Sequence, residues 1–175
     1  GEENQTRLLK EEIEMKTYIG TKIIEAVPAI RKGGRVYEEG QPTPKSMDPV
    51  EEGYKVRYPD GYESFSPKAV FEKAYLELTT NPNLRTSKPS ISQEMVDNFI
   101  SAKEASTLGG KVTVVRATLR NGFELVESSA CVSPENYDEK LGAEICMEKI
   151  KDKVWLLLGF LLQTAVHGVT KESED

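Results

Sequence analysis

Two lysines, Lys149 and Lys153, have the spacing in this sequence that best suits chemistry with an anion. Positions i and i+4 lie on one face of a helix. Two ammonium groups placed there can clamp a phosphate or pyrophosphate while their aliphatic stems pack against apolar neighbours. In the competing interpretation both lysines are solvated and pair with Glu144, Glu148 or Asp152 of the same helix. Spacing alone leaves both interpretations open.

A second candidate region is the stretch TLRNGFELVESSACV, which begins at Thr118. Its Asn-Gly pair predicts a β-hairpin, because both residues tolerate the positive φ of a tight turn. Phe123 follows the turn and could stack on a base, or could begin the inward face of its strand. Arg120 offers hydrogen-bond donors at the turn, whereas the turn itself sufficiently explains Asn121.

The far end of the same hairpin carries small hydroxylated residues, Ser128, Ser129 and Ser133. Strand alternation predicts that residues 125, 127 and 129 share one face and that residues 126, 128 and 130 share the other. The small serines leave room that a ligand, water or a neighbouring chain could fill.

No catalytic constellation, metal site or cofactor motif is predicted. The single histidine, His167, lies near the C-terminal end beside Gly168, where a Ser-His-Asp or Cys-His arrangement is hard to build. Glycine pairs lack the phosphate-loop and dinucleotide-binding patterns, and the acidic residues lack calcium-loop spacing. Cys131 and Cys146 are 15 positions apart and are expected to be inert thiols.

Composition indicates a globular protein and argues against two classes of partner. The chain has 175 residues, of which 38% are hydrophobic and 30% charged. Its net charge of −6 disfavours sequence-independent binding to nucleic acid, which needs a basic surface. The longest apolar run, residues 154–162, is shorter than the roughly 20 residues that span a bilayer. We therefore expect an intracellular protein with neither membranes nor nucleic acids as partners.

The pattern of elements predicts two units. Residues 1–14 are expected to form a flexible or helical tail, 15–80 a small α+β module, 81–90 a linker, and 91–175 a second α+β domain. In the module, strands are predicted at 16–26, 54–58 and 62–65, followed by a helix at 67–78 that opens with Ser66-Pro67. The stretch 31–53 is rich in glycine and proline and predicts a long loop.

The second unit is predicted to contain a hairpin packed on a long helix. A helix at 92–103 precedes strands at 111–119 and 123–132, and a helix follows at 138–165. Residues on one arc of this last helix should face the hairpin: Ala143, Cys146, Met147, Ile150, Val154, Leu157 and Leu161. Beyond Leu157 the helix is apolar nearly all round, which predicts packing against another subunit or the N-terminal module. The predicted class is α+β, with an antiparallel hairpin or sheet on a long C-terminal helix.

Residues 90–163 resemble a known family. The patterns TLxNGF, SACVxPxNxD and a helix ending in KxW-xxxGF are similar to those of the phage gene-product forty-nine/sixty-six family. The segments YIGTKIIEAVP and GYKVRYPDGYESFSPKAVFEKAY resemble a phage module that precedes several unrelated C-terminal domains. One branch of the wider family resembles Thoeris anti-defence proteins, which sequester cyclic ADP-ribose-type signals and form oligomers.

The resemblance implies a phage-encoded protein in the host cytoplasm that captures a nucleotide-derived immune signal without catalysis, as a homo-oligomer. It implies that Phe123 stacks on a ring and that Lys149 and Lys153 hold phosphates. Arg120, Ser129, Ser133 and Asn136 complete the candidate ligand-binding set. The chain departs from expectation in having lysines where arginines would bind phosphates in bidentate geometry. The alternative is an oligomeric interaction protein that binds and modulates a host protein.

Overall fold

The computed structural model describes residues 1–5 and 13–173, which form two antiparallel sheets, each with its own helices. The first sheet has the order β2-β1-β3-β4 and the second the order β5-β6-β7. The N-terminal elements are β1 (Glu25–Lys32), β2 (Arg35–Glu38), β3 (Val50–Arg57), β4 (Glu63–Pro67) and α1 (Lys68–Ala74). The C-terminal elements are α2 (Gln93–Phe99), β5 (Ile100–Leu108), β6 (Val112–Leu119), β7 (Glu124–Ala130) and α3 (Glu139–His167). The predicted α+β class with a long C-terminal helix is confirmed.

The N-terminal sheet has more strands than the sequence pattern predicts. The loop predicted over 31–53 is wrong at both ends, because β1 runs to Lys32 and β3 begins at Val50. Gly33 and Gly34, with φ of 57° and 75°, form the tight turn that pairs β2 with β1. The strand predicted at 16–26 begins only at Glu25, and residues 13–24 belong to neither a helix nor a strand. Residues 2–5 are helical, whereas part of the predicted tail lies outside the described residues.

Helix α1 is held on the first sheet by aromatic packing. The rings of Tyr54 on β3 and Phe71 on α1 stack with centroids 4.0 Å apart, and the Tyr54 hydroxyl donates to Glu72. Gly53 permits β3 and β4 to approach closely, since a Cβ there would lie 2.1 Å from the Ser66 carbonyl oxygen. Helix α1 therefore covers part of one face of the N-terminal sheet.

Strand β5 replaces part of a predicted helix. The helix expected over 92–103 ends at Phe99, and Ile100 already belongs to β5. Ser92 caps α2 by accepting a hydrogen bond from the Met95 amide. Gly109 and Gly110, both with positive φ, then turn the chain so that β5 pairs with β6 along its length. Ladder pairing with β6 overrides the helical preference of the Ala, Lys and Glu residues in this segment.

The C-terminal core lies between β6, α2 and α3. Alternate residues of β6 are buried, and α3 buries a row at i+4 spacing that consists of Cys146, Ile150, Val154 and Leu158. The predicted arc was wrong at Leu157 and Leu161, which are exposed, and it omitted Leu158. Helix α3 also packs on α2.

The chain between the two sheets already contacts the C-terminal core. Leu76 and Leu78 pack against this core, and the Asn81 side-chain amide donates to the Ile91 carbonyl over 3.0 Å. The division near residue 80 therefore stays a prediction. Within the described ranges, no helix is both long and apolar enough to cross a membrane.

Candidate ligand-binding face

The two lysines of the predicted phosphate clamp both reach from α3 to strand β7. The Lys149 ammonium donates a 2.9 Å hydrogen bond to the backbone carbonyl of Ser128. Lys153 forms an ion pair with Glu127, with 2.5 Å between Nζ and Oε1. Among the described residues, neither lysine pairs with a carboxylate of its own helix. Pairing with Glu144, Glu148 or Asp152 is therefore wrong, and the lysines lie along the free edge of the second sheet.

Glu127 places a negative charge between these two cations. It projects from the helix-facing side of β7, and its side chain is only 19% exposed. The hydrogen bond from Lys153 holds the pKa of Glu127 below its ordinary value, and the charges of Lys153 and Lys149 act in the same direction. Glu127 is therefore ionised at neutral pH. An ammonium group has three donors, so each lysine can still donate to a ligand.

The same side of α3 continues into an apolar surface. Lys149, Lys153, Leu156 and Phe160 are spaced four, three and four residues apart, which places them on one side of the helix. Leu156 is 72% exposed and Phe160 is 74% exposed. We call these four residues the α3 face. Half of it is cationic and half is apolar, a combination that suits a ligand carrying both phosphate and ring groups.

At the turn end of the hairpin, Phe123 and Arg120 are both exposed. The Leu119 amide donates to the Phe123 carbonyl, and the Gly122 amide donates to the Leu119 carbonyl. Gly122 has a φ of 86°, but no residue other than glycine has positive φ in the described chain. The expectation that Asn121 adopts positive φ is therefore wrong. Its side chain instead accepts a hydrogen bond from the Phe123 amide.

The serine end of the hairpin forms a small cavity of about 80 Å³, and Ser129 and Asn136 contribute to its wall. Ser133 lies beside it, since the Cys131 thiol donates to the Ser133 carbonyl. The Ser133 hydroxyl donates to Glu135 and thereby lowers the pKa of that carboxyl. Ligand pockets usually measure about 300–1,000 Å³. This cavity alone is too small for a nucleotide.

The predicted residues thus fall into three groups along one layer of the structure. Arg120 and Phe123 lie at the turn, the two lysines lie beside the middle of β7, and the remaining three surround the small cavity. The structure brings the last group together, but the wall of the small cavity contains only Ser129 and Asn136 of the seven residues. Their roles in binding stay predictions.

Sequence reasoning missed the position of Glu127 against Lys153 and the continuation of the lysine row into Leu156 and Phe160. The alternation of side chains along β7 already indicated which face of the strand carries Glu127. Its partner, Lys153, could be identified only from the packing of α3. A larger cavity of about 540 Å³ was also missed. It lies between Lys22, Arg57 and Tyr58 on one side and Ala165 and Val166 on the other.

The groups that could support metal or thiol chemistry are few. Across residues 1–5 and 13–173, no cluster of three histidine, cysteine or acidic side chains could hold a metal ion. Both cysteines are free thiols, and burial raises the pKa of Cys146. Cys146 is therefore a protonated core residue at neutral pH.

Residues 91–166 match the model of the phage protein (N4 Gp49/phage Sf6 gene 66) family. The matched region contains α2, the second sheet and nearly all of α3, so it includes the α3 face and both ends of the hairpin. Comparisons with curated proteins and with solved structures found no match. Within this chain, 76 of the 175 residues are therefore similar to a phage protein family.

Proposed function

We propose that this chain is a phage-encoded binding protein that captures a nucleotide-derived host immune signal without cleaving it. The signal is of the cyclic ADP-ribose or cyclic oligonucleotide type, and capture in the host cytoplasm blocks an anti-phage defence. The phage family of residues 91–166 supports the origin of the protein. The resemblance of one branch of the wider family to Thoeris anti-defence proteins supports the class of ligand.

The observation that carries the proposal is the α3 face. Lys149 and Lys153 present two ammonium groups at the free edge of the second sheet, directly followed by the exposed Leu156 and Phe160. Ammonium groups bind phosphate oxygens through charge-assisted hydrogen bonds. Apolar and aromatic side chains bury the faces of bases. Stable capture requires only these contacts and exclusion of water, so the proposal assigns no residue a catalytic role.

A second protomer completes the site in this proposal. The cavity beside the serines is too small for a nucleotide, and the α3 face is open to solvent in one chain. A partner placed against Leu156 and Phe160 would cover that surface and enclose the ligand between two chains. The proposed assembly is therefore a homo-oligomer.

The direct test is to incubate the purified protein with a panel of cyclic nucleotides, remove unbound ligand, denature the protein and analyse what is released. Intact nucleotide in the released fraction is the expected result. A cleaved product would contradict binding without catalysis. No retention of any nucleotide in the panel would favour the alternative function below.

The first prediction concerns the double variant Lys149→Glu with Lys153→Glu. It should retain less ligand, because the loss of each ammonium–phosphate contact should lower the affinity at least about tenfold. The melting temperature should fall somewhat, because the substitution at position 153 places a second carboxylate beside the partly buried Glu127, so binding is measured at a temperature where the variant is folded. Isothermal titration calorimetry with the retained nucleotide measures the loss.

The matched control is Lys103→Glu with Lys140→Glu, which makes the same change in net charge at two other exposed lysines. This control should bind as the unmodified chain does. Equal loss in both double variants would mean that overall charge, and not the α3 face, determines binding.

The alternative function is an oligomeric interaction protein that binds and modulates a host protein. The exposed Leu156 and Phe160 favour it, because a protein interface buries such apolar side chains at its centre. In that case Phe160→Asp should abolish the effect on the host protein, whereas the lysine double variant should retain it.

A further inference from the structure

Residues 13–21 form a segment outside helices and strands whose apolar side chains are exposed to solvent. Ile13, Met15, Tyr18 and Ile19 are between 78% and 96% exposed. None of the residues from 13 to 24 belongs to a helix or a strand. We call residues 13–21 the arm. Its composition is typical of a β-strand, yet the described chain provides it with no pairing partner.

The base of the arm contacts Tyr58, directly after β3, and lines a cavity that the C-terminal end of α3 also lines. The Lys22 ammonium lies 4.6 Å from the centre of the Tyr58 ring. Lys22, Ile23 and Ile24 line the larger cavity opposite Ala165 and Val166. The arm therefore begins close to the C-terminal end of α3, a helix that also carries exposed apolar residues.

Four of the exposed apolar residues of α3 are Leu156, Leu157, Phe160 and Leu161, which we call the apolar stripe of α3. Nine extended residues reach up to about 30 Å, whereas six residues of helix cover only about 9 Å. The arm is thus long enough to cross the whole stripe. Its apolar side chains nevertheless remain in solvent within one chain.

We propose that the arm of one copy packs on the apolar stripe of a second copy, so that two chains exchange arms about a two-fold axis. Reciprocal exchange would bury the four apolar arm residues and the four stripe residues of both chains. We place the buried area on the order of 1,500 Å², within the roughly 1,200–2,000 Å² typical of stable interfaces. One arm folded onto its own helix would bury only half as much. Exchange of identical segments is a low-cost route to dimers.

Arm exchange also places new residues beside the proposed ligand. The stripe shares Leu156 and Phe160 with the α3 face, so an arm on the stripe lies next to Lys153. Tyr18 of the arm then offers a second ring to a ligand at that position. The inference rests on the oligomer in the proposed function but not on its ligand.

The test is the mass of the full chain without nucleotide, measured by sedimentation equilibrium over a range of concentrations. The unmodified chain should be a dimer or a larger assembly of the 19.5 kDa protomer. Met15→Asp with Ile19→Asp should shift it at least tenfold toward monomer, and Phe160→Asp should do the same. Met47→Asp is the matched control, because Met47 is as exposed as Met15 but lies in the loop before β3. It should leave the assembly unchanged.

Photo-crosslinking from position 18 distinguishes exchange from folding back. In a mixture of isotopically light and heavy chains, crosslinks should join position 18 of a light chain to residues 156–161 of a heavy chain. Crosslinks within one chain only, a monomeric unmodified chain, or an oligomer that survives both variants would each overturn the proposal. Because no nucleotide is present, a negative result here is distinct from failure of ligand capture.

Discussion

At the scale of single residues, the position of Glu127 determines how strongly the α3 face can bind an anion. Glu127 is ionised, and Lys153 is already paired with it. A phosphate that binds Lys153 must therefore share the ammonium with a carboxylate or displace it. Glu127 also offers an acceptor for ligand hydroxyl groups, which would favour a ligand that carries donors beside its phosphate.

The second prediction is that Glu127→Gln strengthens retention of a purely anionic probe such as pyrophosphate. The amide removes the negative charge between Lys149 and Lys153 at almost constant size. Affinity should rise several-fold in calorimetric titration. The control is Glu124→Gln, because Glu124 lies on the same strand and pairs with Arg116 instead. Unchanged or weaker binding by Glu127→Gln would show that the carboxylate does not compete with the anion.

The ion pair between Lys151 and Asp97 joins α3 to α2. Because Asp97 titrates, we expect the stability of the protein to depend on pH. Lys151 lies 3.0 Å from Asp97, and this hydrogen bond holds the pKa of Asp97 below its ordinary 3.8. A lowered pKa in the folded state stabilises the protein above the unfolded pKa. That stabilisation is lost as the pH falls through the folded value.

The third prediction follows for Asp97→Asn. The variant should have a lower melting temperature than the unmodified chain at pH 7, and the difference should shrink as the pH falls below about 4. The effect should be small, because both side chains are partly exposed. Thermal unfolding at several pH values measures it. A difference that does not shrink as the pH falls would mean that the pair does not cause it.

At the scale of elements, α3 contains two glycines with opposite surroundings. A Cβ at Gly142 would lie 2.2 Å from the Oγ1 atom of Thr113, which is buried in β6 and hydrogen-bonded to Tyr137. A Cβ at Gly159 would meet no atom within 4 Å. Gly142 therefore sets the distance between α3 and the sheet, whereas Gly159 only weakens the helix.

The fourth prediction compares the same substitution at these two sites. Gly142→Ala should destabilise the fold by about 1–3 kcal/mol, because overpacking forces helix and strand apart. Gly159→Ala should stabilise it by up to about 1 kcal/mol, because alanine favours an exposed helix interior. Urea unfolding followed by circular dichroism measures both changes. The same sign in both variants would contradict this account of the helix–sheet contact.

At the scale of the whole molecule, the two sheets have separate cores. The large core cluster contains residues from α2, β6 and α3, together with Ile91. In the first sheet the buried hydrophobic residues are Ala29 and Val56. Damage to the larger core should therefore act first on the C-terminal sheet.

The fifth prediction concerns Ile150→Ala, which removes a fully buried side chain from the centre of α3. The cost should be about 2–5 kcal/mol. Hydrogen exchange should accelerate in β6, β7 and α3, while protection in β1 and β3 stays the same. Peptide-resolved hydrogen exchange by mass spectrometry provides the comparison. Equal acceleration in both sheets would show that they unfold as one cooperative unit.

Several features of the structure could be predicted from neighbouring residues in the sequence. The Asn121-Gly122 pair predicted the hairpin, and the apolar arc between Ala143 and Leu161 predicted α3, because turns and helical periodicity depend on neighbouring residues. The lysine pair could be recognised as a candidate phosphate clamp for the same reason. Each of these signals lies within a few residues of the feature that it predicts.

Only the tertiary structure decided which residues meet across the chain. It made residues 100–108 a strand by pairing them with β6, and it left residues 16–24 unpaired although their composition favours a strand. It also directed Lys153 to Glu127, 26 positions away, instead of to a carboxylate on its own helix. Strand pairing and ion pairing depend on partners distant in sequence, so the sequence by itself determined the elements and their candidate residues, and packing determined their partners.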